Sequence, residues 1–345
     1  MIFLVVTYVH SDTVRGFLQT WGRSLQPRLK LLFYEDLFCR WSLPRGAYIF
    51  SDLERLTPQQ LRQAETVAGY LVEQGCPVLN RPARALRRYP LLRMLHASGI
   101  NHFRVSWLQD GCSDLRFPVF LRREDEHDGP ISPLIRSEAE LREQAATATR
   151  AGAPPDKLLI VEFCDTADDS GTYRKYSAFL IGGRLLPRHV LFSGNWVQKY
   201  PDLVAEPQAR EEREYLFADP HPHEERVRDI FRRAAIDYGR IDYGLMGDRI
   251  QVWEINTNPT ITAPRERLAP TRLAAQAEVA ARLCAAFAEI GDLAISQRGI
   301  ALPVTNQMRQ RLGTSFLAQC KRPLRQLLRP LRARIRNILH QRPFG

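Results

Sequence analysis

The segment from Gly239 to Pro259 constrains this chain more than any other. It reads as a hairpin, with one strand around Ile241–Leu245, a Gly247-Asp248 turn, and a second strand from Ile250 to Ile255. Asp242 sits on the first strand. Glu254 and Asn256 are two apart on the second, so their side chains share a face. Two carboxylates and an amide oxygen converging on one spot form an oxygen-only donor set, which suits Mg2+ or Mn2+ rather than zinc. Mg2+ with few protein ligands completes its shell with water and substrate phosphates, so the pattern points to a nucleotide site. The competing reading is an exposed acidic face. Ile250, Val252, Trp253 and Ile255 count against it, because they make the strand apolar and charges embedded in a buried strand need a partner. Asn258-Pro259 ends the strand just past the donors.

The run Gly239-Arg240-Ile241-Asp242, followed by Glu254-Ile255-Asn256-Thr257-Asn258-Pro259, resembles the metal-binding end of the ATP-grasp superfamily and is similar to the same stretch in D-alanine–D-alanine ligases. The resemblance implies that Asp242, Glu254 and Asn256 hold Mg2+ (or Mn2+) against the phosphates of ATP. It implies that Arg240 supports the transferred phosphate and the tetrahedral intermediate. It also implies the fold: α/β (α+β), with an N-terminal doubly wound unit, two α+β subdomains enclosing ATP, and here a basic C-terminal helix in addition. Homodimers occur in that family.

At 345 residues the chain can hold two or three structural units. No apolar run reaches membrane-spanning length. Met1–Val6 is apolar without a preceding basic region, so it reads as a buried first strand rather than a signal peptide. The six cysteines are scattered, with no C-x-x-C pair, which suggests neither a zinc site nor a disulfide framework and makes a reducing cytoplasm the expected compartment. Glycine-rich dinucleotide, P-loop and nucleophile-elbow motifs are all missing.

Along the chain, four units are expected: residues 1–85, 86–165, 166–295 and a tail at 296–345. In the first, Met1–Tyr8 and Ala47–Ser51 read as buried parallel strands, Gln59–Gln74 as a helix opened by Thr57-Pro58, and Pro77–Leu79 as another strand. Tyr8, His10 and Asp12, after the first strand, are candidates for touching an acceptor. A short helix at Tyr89–Ser98 leads to the second unit.

There Phe117–Arg122 is a strand ending in a cation, before a polar loop containing His127. The family's strand ends in a phosphate-binding lysine at this point. The resemblance gives that role to Arg122, a departure from the pattern, and His127 is a further phosphate donor. Glu138–Ala151 reads as a helix and Leu158–Phe163 as a strand. By resemblance, Glu162, Phe163, Cys164 and Asp165 form the adenine and ribose hinge.

Tyr173–Ile181 alternates and returns through Gly182-Gly183 as Leu185–Phe192. Either Arg174 or Lys175 faces the covered side, depending on register, and by resemblance contacts phosphate. Arg188, His189, Asn195 and Lys199 follow on the return strand and loop. Pro201–Pro222 is read as a lid, Val227–Asp237 and Leu273–Ile290 as helices.

In the tail, Leu324, Leu327, Leu328, Leu331, Ile335, Ile338 and Leu339 recur at helical spacing, interleaved with Arg325, Arg329, Arg332, Arg334 and Arg336. Basic residues and no acidic ones lie between Leu293 and Gly345, and they account for the whole net charge of +11. Such a basic amphipathic helix, read over 313–345, suits an anionic membrane surface, here the inner face, or another polyanion. Packing on the enzyme body is the rival reading. Nucleic acid is disfavoured, because no aromatic residues interleave to stack bases.

The function that follows from the resemblance is an ATP- and Mg2+-dependent ligase. It joins a small-molecule carboxylate to an amine (or thiol) through an acyl phosphate, with Arg240, Arg122 and Arg174 or Lys175 stabilising the transferring group. A phosphotransferase acting on a hydroxyl, and a non-catalytic nucleotide-binding adaptor recruited to a membrane, are the alternatives.

Overall fold

The computed structural model describes residues 1–38, 40, 42–197, 206–261, 270–292 and 300–301. The tail apart from 300–301, Lys199, Cys39 and Cys320 therefore lie outside the described residues.

The chain opens with β1 (Ile2–Val6), α1 (Asp12–Gln19), β2 (Leu29–Phe33), α2 (Tyr34–Leu37), β3 (Ser42–Leu43), β4 (Ala47–Phe50), α3 (Pro58–Glu73) and β5 (Val78–Leu79). The four longer-range partners make a parallel sheet of order β2-β1-β4-β5. Every residue of β1 and β4 is buried, as an all-apolar strand between two layers requires. The chain departs from β1 to β2 on one side and resumes at β4 on the other. The loops at the carboxyl ends of β1 and β4 therefore flank a crevice. α3 begins with a reciprocal cap in which the Thr57 side chain accepts from the Gln60 amide and Gln60 returns the bond, with Pro58 at the first helical turn.

Next come α4 (Arg88–Ala97), β6 (Val105–Trp107), β7 (Val119–Arg123), α5 (Glu138–Arg150) and β8 (Leu158–Glu162). They build an antiparallel sheet of order β6-β8-β7. Val119 and Leu121 join Ile135, Leu141 and Ile160 in a small core beneath α5. Phe120 and Arg122, on the alternate positions of β7, therefore point to the opposite face.

The third sheet is antiparallel with order β10-β9-β11-β12, from β9 (Tyr173–Ile181), β10 (Arg184–Ser193), β11 (Tyr238–Met246) and β12 (Arg249–Asn256). Gly182 and Gly183, both at positive φ, close the β9–β10 hairpin as a two-residue turn demands. Between β10 and β11 run α6 (Glu206–Phe217) and α7 (Glu224–Ala234). α8 (Pro270–Asp292) follows, and β13 (Ile300–Ala301) pairs with β3. Tyr238 on β11 meets Phe287 of α8 at 6.0 Å between ring centroids, and α8 also packs on β1. One large core thus joins the first and third sheets.

The lid expectation needs correction. Glu206–Phe217, within the segment read as a lid, is a helix with Tyr215 and Leu216 buried against β10. The Tyr215 hydroxyl donates to the Ser177 carbonyl at 2.9 Å. α1 and β2 were not anticipated from the sequence. Among the described residues the cysteines Cys76, Cys112, Cys164 and Cys284 are all free thiols, and no helix is long and apolar enough to cross a membrane.

Candidate active site

The hairpin of β11 and β12 turns at Gly247-Asp248, with Gly247 at φ 57°. Its register brings Asp242 opposite Glu254 and Arg240 opposite Asn256. This register depends on an irregularity. Tyr243 pairs with Val252 while Asp242 pairs with Glu254, so Trp253 is an extra residue in β12. Such a bulge re-aims the side chains beyond it. Directly opposed residues share a face, so Asp242, Glu254, Asn256 and Arg240 line one surface. The three donors are buried, at 3%, 8% and 5% exposure.

Cations surround them. Arg240 holds Asp242 with two parallel bonds, Nε to Oδ1 at 2.8 Å and Nη2 to Oδ2 at 3.0 Å. Lys175 Nζ lies 4.0 Å from the same Oδ2. Glu254 Oε2 accepts from Arg122 Nη2 at 2.8 Å and from Arg88 Nη2 at 2.5 Å, with His127 Nδ1 at 3.3 Å. The Asn256 side-chain oxygen accepts the Asn258 amide at 2.7 Å.

The electrostatics follow from burial. Desolvation alone would raise the Glu254 carboxyl, but His127, Arg88 and Arg122 hold it well below the usual carboxylate range. Arg122 is pushed down to about 10, first by burial and then by the like charge of Arg88. Lys175 is lowered by burial against the pull of Asp242. Arg240 loses to burial but gains more from Asp242, and ends above its ordinary value.

Four cationic side chains thus face two carboxylates, an excess that an anion would relieve. Arg88 Nε, Arg122 Nε and His127 Nε2 are buried without a hydrogen-bond partner among the described residues. A polyphosphate is one anion whose charge and acceptors would suit these orphaned donors. The two carboxylates and the Asn256 oxygen are hard oxygen donors of the kind that a divalent cation such as Mg2+ takes. Among the described residues no three His, Cys, Asp or Glu side chains gather as a metal site; the third donor here is an amide.

Arg88 was not anticipated from the sequence. It is 2% exposed, and its Nη1 donates to the carbonyls of Arg123, Glu124 and Glu126 at 2.7, 2.6 and 2.8 Å. It therefore ties the loop after β7 down onto Glu254. The signal was present: Arg87-Arg88 open α4, where a cation opposes the helix dipole and needs another reason to be there.

Other expected residues have partners of their own. The choice between Arg174 and Lys175 resolves to Lys175. Arg174 lies on the other face of β9, bound by Asp168 at 2.5 Å and Glu211 at 2.6 Å. Glu162 is buried, and its carboxylate is taken by Arg104 Nε at 2.9 Å and by the Arg116 amide at 2.6 Å. These bonds, with the Arg116 guanidinium at 3.1 Å, tie the end of β8 to the segments just before β6 and β7. Asp165 is exposed and accepts the Ala167 amide at 3.1 Å, as a turn-former does. The Phe163 amide donates to the Pro118 carbonyl at 2.9 Å. The Phe163 ring meets Trp196 edge-on at 5.7 Å, and Trp196 in turn covers Phe120 at 5.1 Å. The Cys164 thiol is buried and pushed up to about 11 by desolvation, so it is no nucleophile.

The first unit forms the rim. Thr13 Oγ1 donates to the Asn258 side chain at 2.8 Å, and Asn258 donates to the His10 carbonyl at 3.2 Å. Glu54 accepts the Thr257 amide at 2.6 Å. Arg55 bridges to Glu126 of the Arg88-held loop at 3.3 Å. The loops after β1 and β4 therefore meet the end of β12, which sets Tyr8–Asp12 beside the donors.

A scan of protein-family models and a search of curated proteins return no match. Among solved structures, the chain is similar to the D-alanine–D-alanine ligase of Coxiella burnetii, at 12% identity and TM-score 0.49, over 93% of this chain and 98% of that one. It is similar to the Bacillus anthracis D-alanine–D-alanine ligase at 14% identity and TM-score 0.48, over 84% and 96%. A RimK domain ATP-grasp protein from Sphaerobacter thermophilus matches at 15% identity and TM-score 0.45, over 86% and 100%. The likeness is to ligases and an ATP-grasp protein. Overlaps this loose carry no chemistry by themselves, which is read instead from the side chains above.

Proposed function

We propose that the chain is an ATP-grasp enzyme that uses ATP and Mg2+ to join a small-molecule carboxylate to an amine. One observation carries the reading: Arg88, Arg122, Arg240 and Lys175 converge on the opposed pair Asp242 and Glu254. The family pattern from Gly239 to Pro259 supports the same assignment. Asp242, Glu254 and Asn256 would hold the metal. When bound, it neutralises phosphate oxygens and fixes their orientation.

The protein's own part is positioning. Arg122, Arg88 and His127 bind the phosphate chain from the β7 side. Lys175 and Arg240 bind it from the β9 and β11 side and stabilise charge on the transferring group. The acceptor enters past the loops after β1 and β4; its carboxylate oxygen takes the γ-phosphoryl group as ADP leaves, and the amine then attacks the acyl carbon and expels inorganic phosphate. The basic segment 313–345 we assign to an anionic surface, tested by flotation of full-length and shortened chains with phosphatidylserine vesicles.

The central test is ADP release by the purified protein. Release that needs both a carboxylate and an amine, and that Glu254→Gln abolishes, is the expected result. Release driven by a hydroxyl compound alone would replace the ligase with a phosphotransferase.

A further inference from the structure

β10 is an edge strand with an irregularity of its own. Pro187 pairs with Ala178 and His189 pairs with Ser177, so Arg188 is the extra residue. Without that bulge Arg188 would oppose Ser177. With it, the histidine does. Ser177 is fully buried on β9, opposite Asp242 on β11. Three side chains from three adjacent strands then line up. His189 Nε2 lies 2.9 Å from Ser177 Oγ, and Ser177 Oγ donates to Asp242 Oδ1 at 2.7 Å.

The direction of this chain is fixed. An ionised Asp242 only accepts, so the single Ser177 proton points at it. The contact to His189 then needs a donor on the histidine, namely Nε2–H. Burial, and next the like charges of Arg188, Arg240, Lys175 and Arg272, keep that ring neutral, so Nδ1 carries no proton. A carboxylate has roughly four acceptor positions. Arg240 takes two on Asp242 and Ser177 takes a third. The position left is on Oδ2, where Lys175 Nζ lies 4.0 Å away, so the carboxylate is held on both oxygens beside Glu254, its partner across the β11–β12 pair.

We propose that Ser177 and His189 are positioning residues for Asp242: the histidine orients the serine hydroxyl, and the hydroxyl, together with Arg240, holds the carboxylate in the orientation it presents to a divalent cation. The proposal rests on the reading of Asp242 as a metal ligand. Neither residue touches substrate. Groups behind a metal ligand typically alter affinity by about 10- to 100-fold, and this pair acts as one unit.

The test is Mn2+ titration followed by electron paramagnetic resonance, in the presence of a non-hydrolysable ATP analogue. The variants are Ser177→Ala, Ser177→Thr, His189→Leu, His189→Gln, the double variant Ser177→Ala/His189→Leu, and Glu254→Gln as the control for the site itself. Circular dichroism checks that each folds. Ser177→Ala should weaken Mn2+ by roughly 10- to 100-fold, as expected of such outer groups. Binding of the analogue without metal should stay unchanged. Ser177→Thr keeps the hydroxyl and His189→Gln keeps a donor, so both should stay near wild type. The double variant should bind Mn2+ no more weakly than Ser177→Ala alone, because the histidine acts only through the serine.

Unchanged Mn2+ affinity in folded Ser177→Ala, with affinity lost in Glu254→Gln, overturns the positioning role and leaves the metal site intact. Additive losses in the double variant overturn the ordered chain. Unchanged affinity in Glu254→Gln as well removes the metal reading and the proposal together. Should Ser177→Ala not fold, His189→Leu against His189→Gln decides the matter by the same measurement.

Discussion

Replacing Arg88 by methionine tests whether this buried guanidinium serves the loop, the carboxylate or the ligand. Its side chain makes charge-assisted bonds to three backbone carbonyls and to Glu254. Losing the attraction to Glu254, at about 4 Å between charge centres and an effective dielectric near 20, costs about 4 kcal/mol. Relief of the repulsion from Arg122, which shares the same oxygen, returns about 3 kcal/mol at a separation near 5 Å. The two nearly cancel, because Glu254 keeps Arg122 and His127. The carbonyls decide the outcome. Each hydrogen bond to a charged donor contributes about 1.5 kcal/mol at the low end. Non-additivity among neighbours brings the expected loss to about 3–5 kcal/mol. Urea unfolding reads it as a lower midpoint at unchanged slope. Arg88→Lys should lose about half as much, since an ammonium cannot span the carbonyls and the carboxylate together. ATP-analogue affinity, by calorimetry, should fall roughly 10- to 100-fold in Arg88→Met from the lost charged contact. A methionine variant as stable as wild type would refute the loop argument. One equally stable in its grip on the analogue would refute the phosphate argument.

Glu254 is held well below its usual range, so its contribution is complete above the unfolded carboxylate value near 4.3. That contribution is lost only as pH falls through the depressed folded value. Acid unfolding of Glu254→Gln should therefore show a shallower acid limb than wild type and no difference in slope between pH 5 and 7. His223, whose Nδ1 lies 2.9 Å from the Tyr243 hydroxyl, is lowered by burial to about 4. Its folded value lies below the unfolded one, so stability is present above about 6.5 and falls as pH drops toward 4. His223→Phe should flatten that stretch of a stability-against-pH curve, and an unchanged slope would show that another group titrates there. Arg174 and Lys175 are neighbours on opposite faces of β9, so Lys175→Met should weaken binding of the ATP analogue about tenfold or more, at the scale of a lost charged contact. Arg174→Gln should leave binding unchanged, with only a modest fall in melting temperature; equal effects on binding would mean that the strand sits in a different register.

What was legible in this sequence was whatever repeats with a fixed period. The alternation of β9, the apolar runs of β1 and β4, and the Thr57-Pro58 opening of α3 all announce themselves, because side-chain direction follows the backbone period there. The spacing of Glu254 and Asn256 placed them on one face for the same reason. What was not legible was where the period breaks. Strict pairing across the Gly247-Asp248 turn sets Trp253 opposite Asp242, and only the extra residue brings Glu254 there. The extra Arg188 in β10 similarly sets His189, not its neighbour, over Ser177. A bulge is one residue in length and carries no composition of its own, so no window of sequence reveals it. Arg88 is hidden for a different reason. Its partners lie 35 to 166 residues away in the chain, and a single sequence does not display contacts of that span. The site is thus assembled by a local motif that supplies the donors, and by long-range placement that supplies the cations. Substitutions in the motif should remove the metal, whereas substitutions at Arg88 or Arg122 should remove the phosphate grip and leave the donors in place, which makes the two halves separable by titrating metal and nucleotide independently.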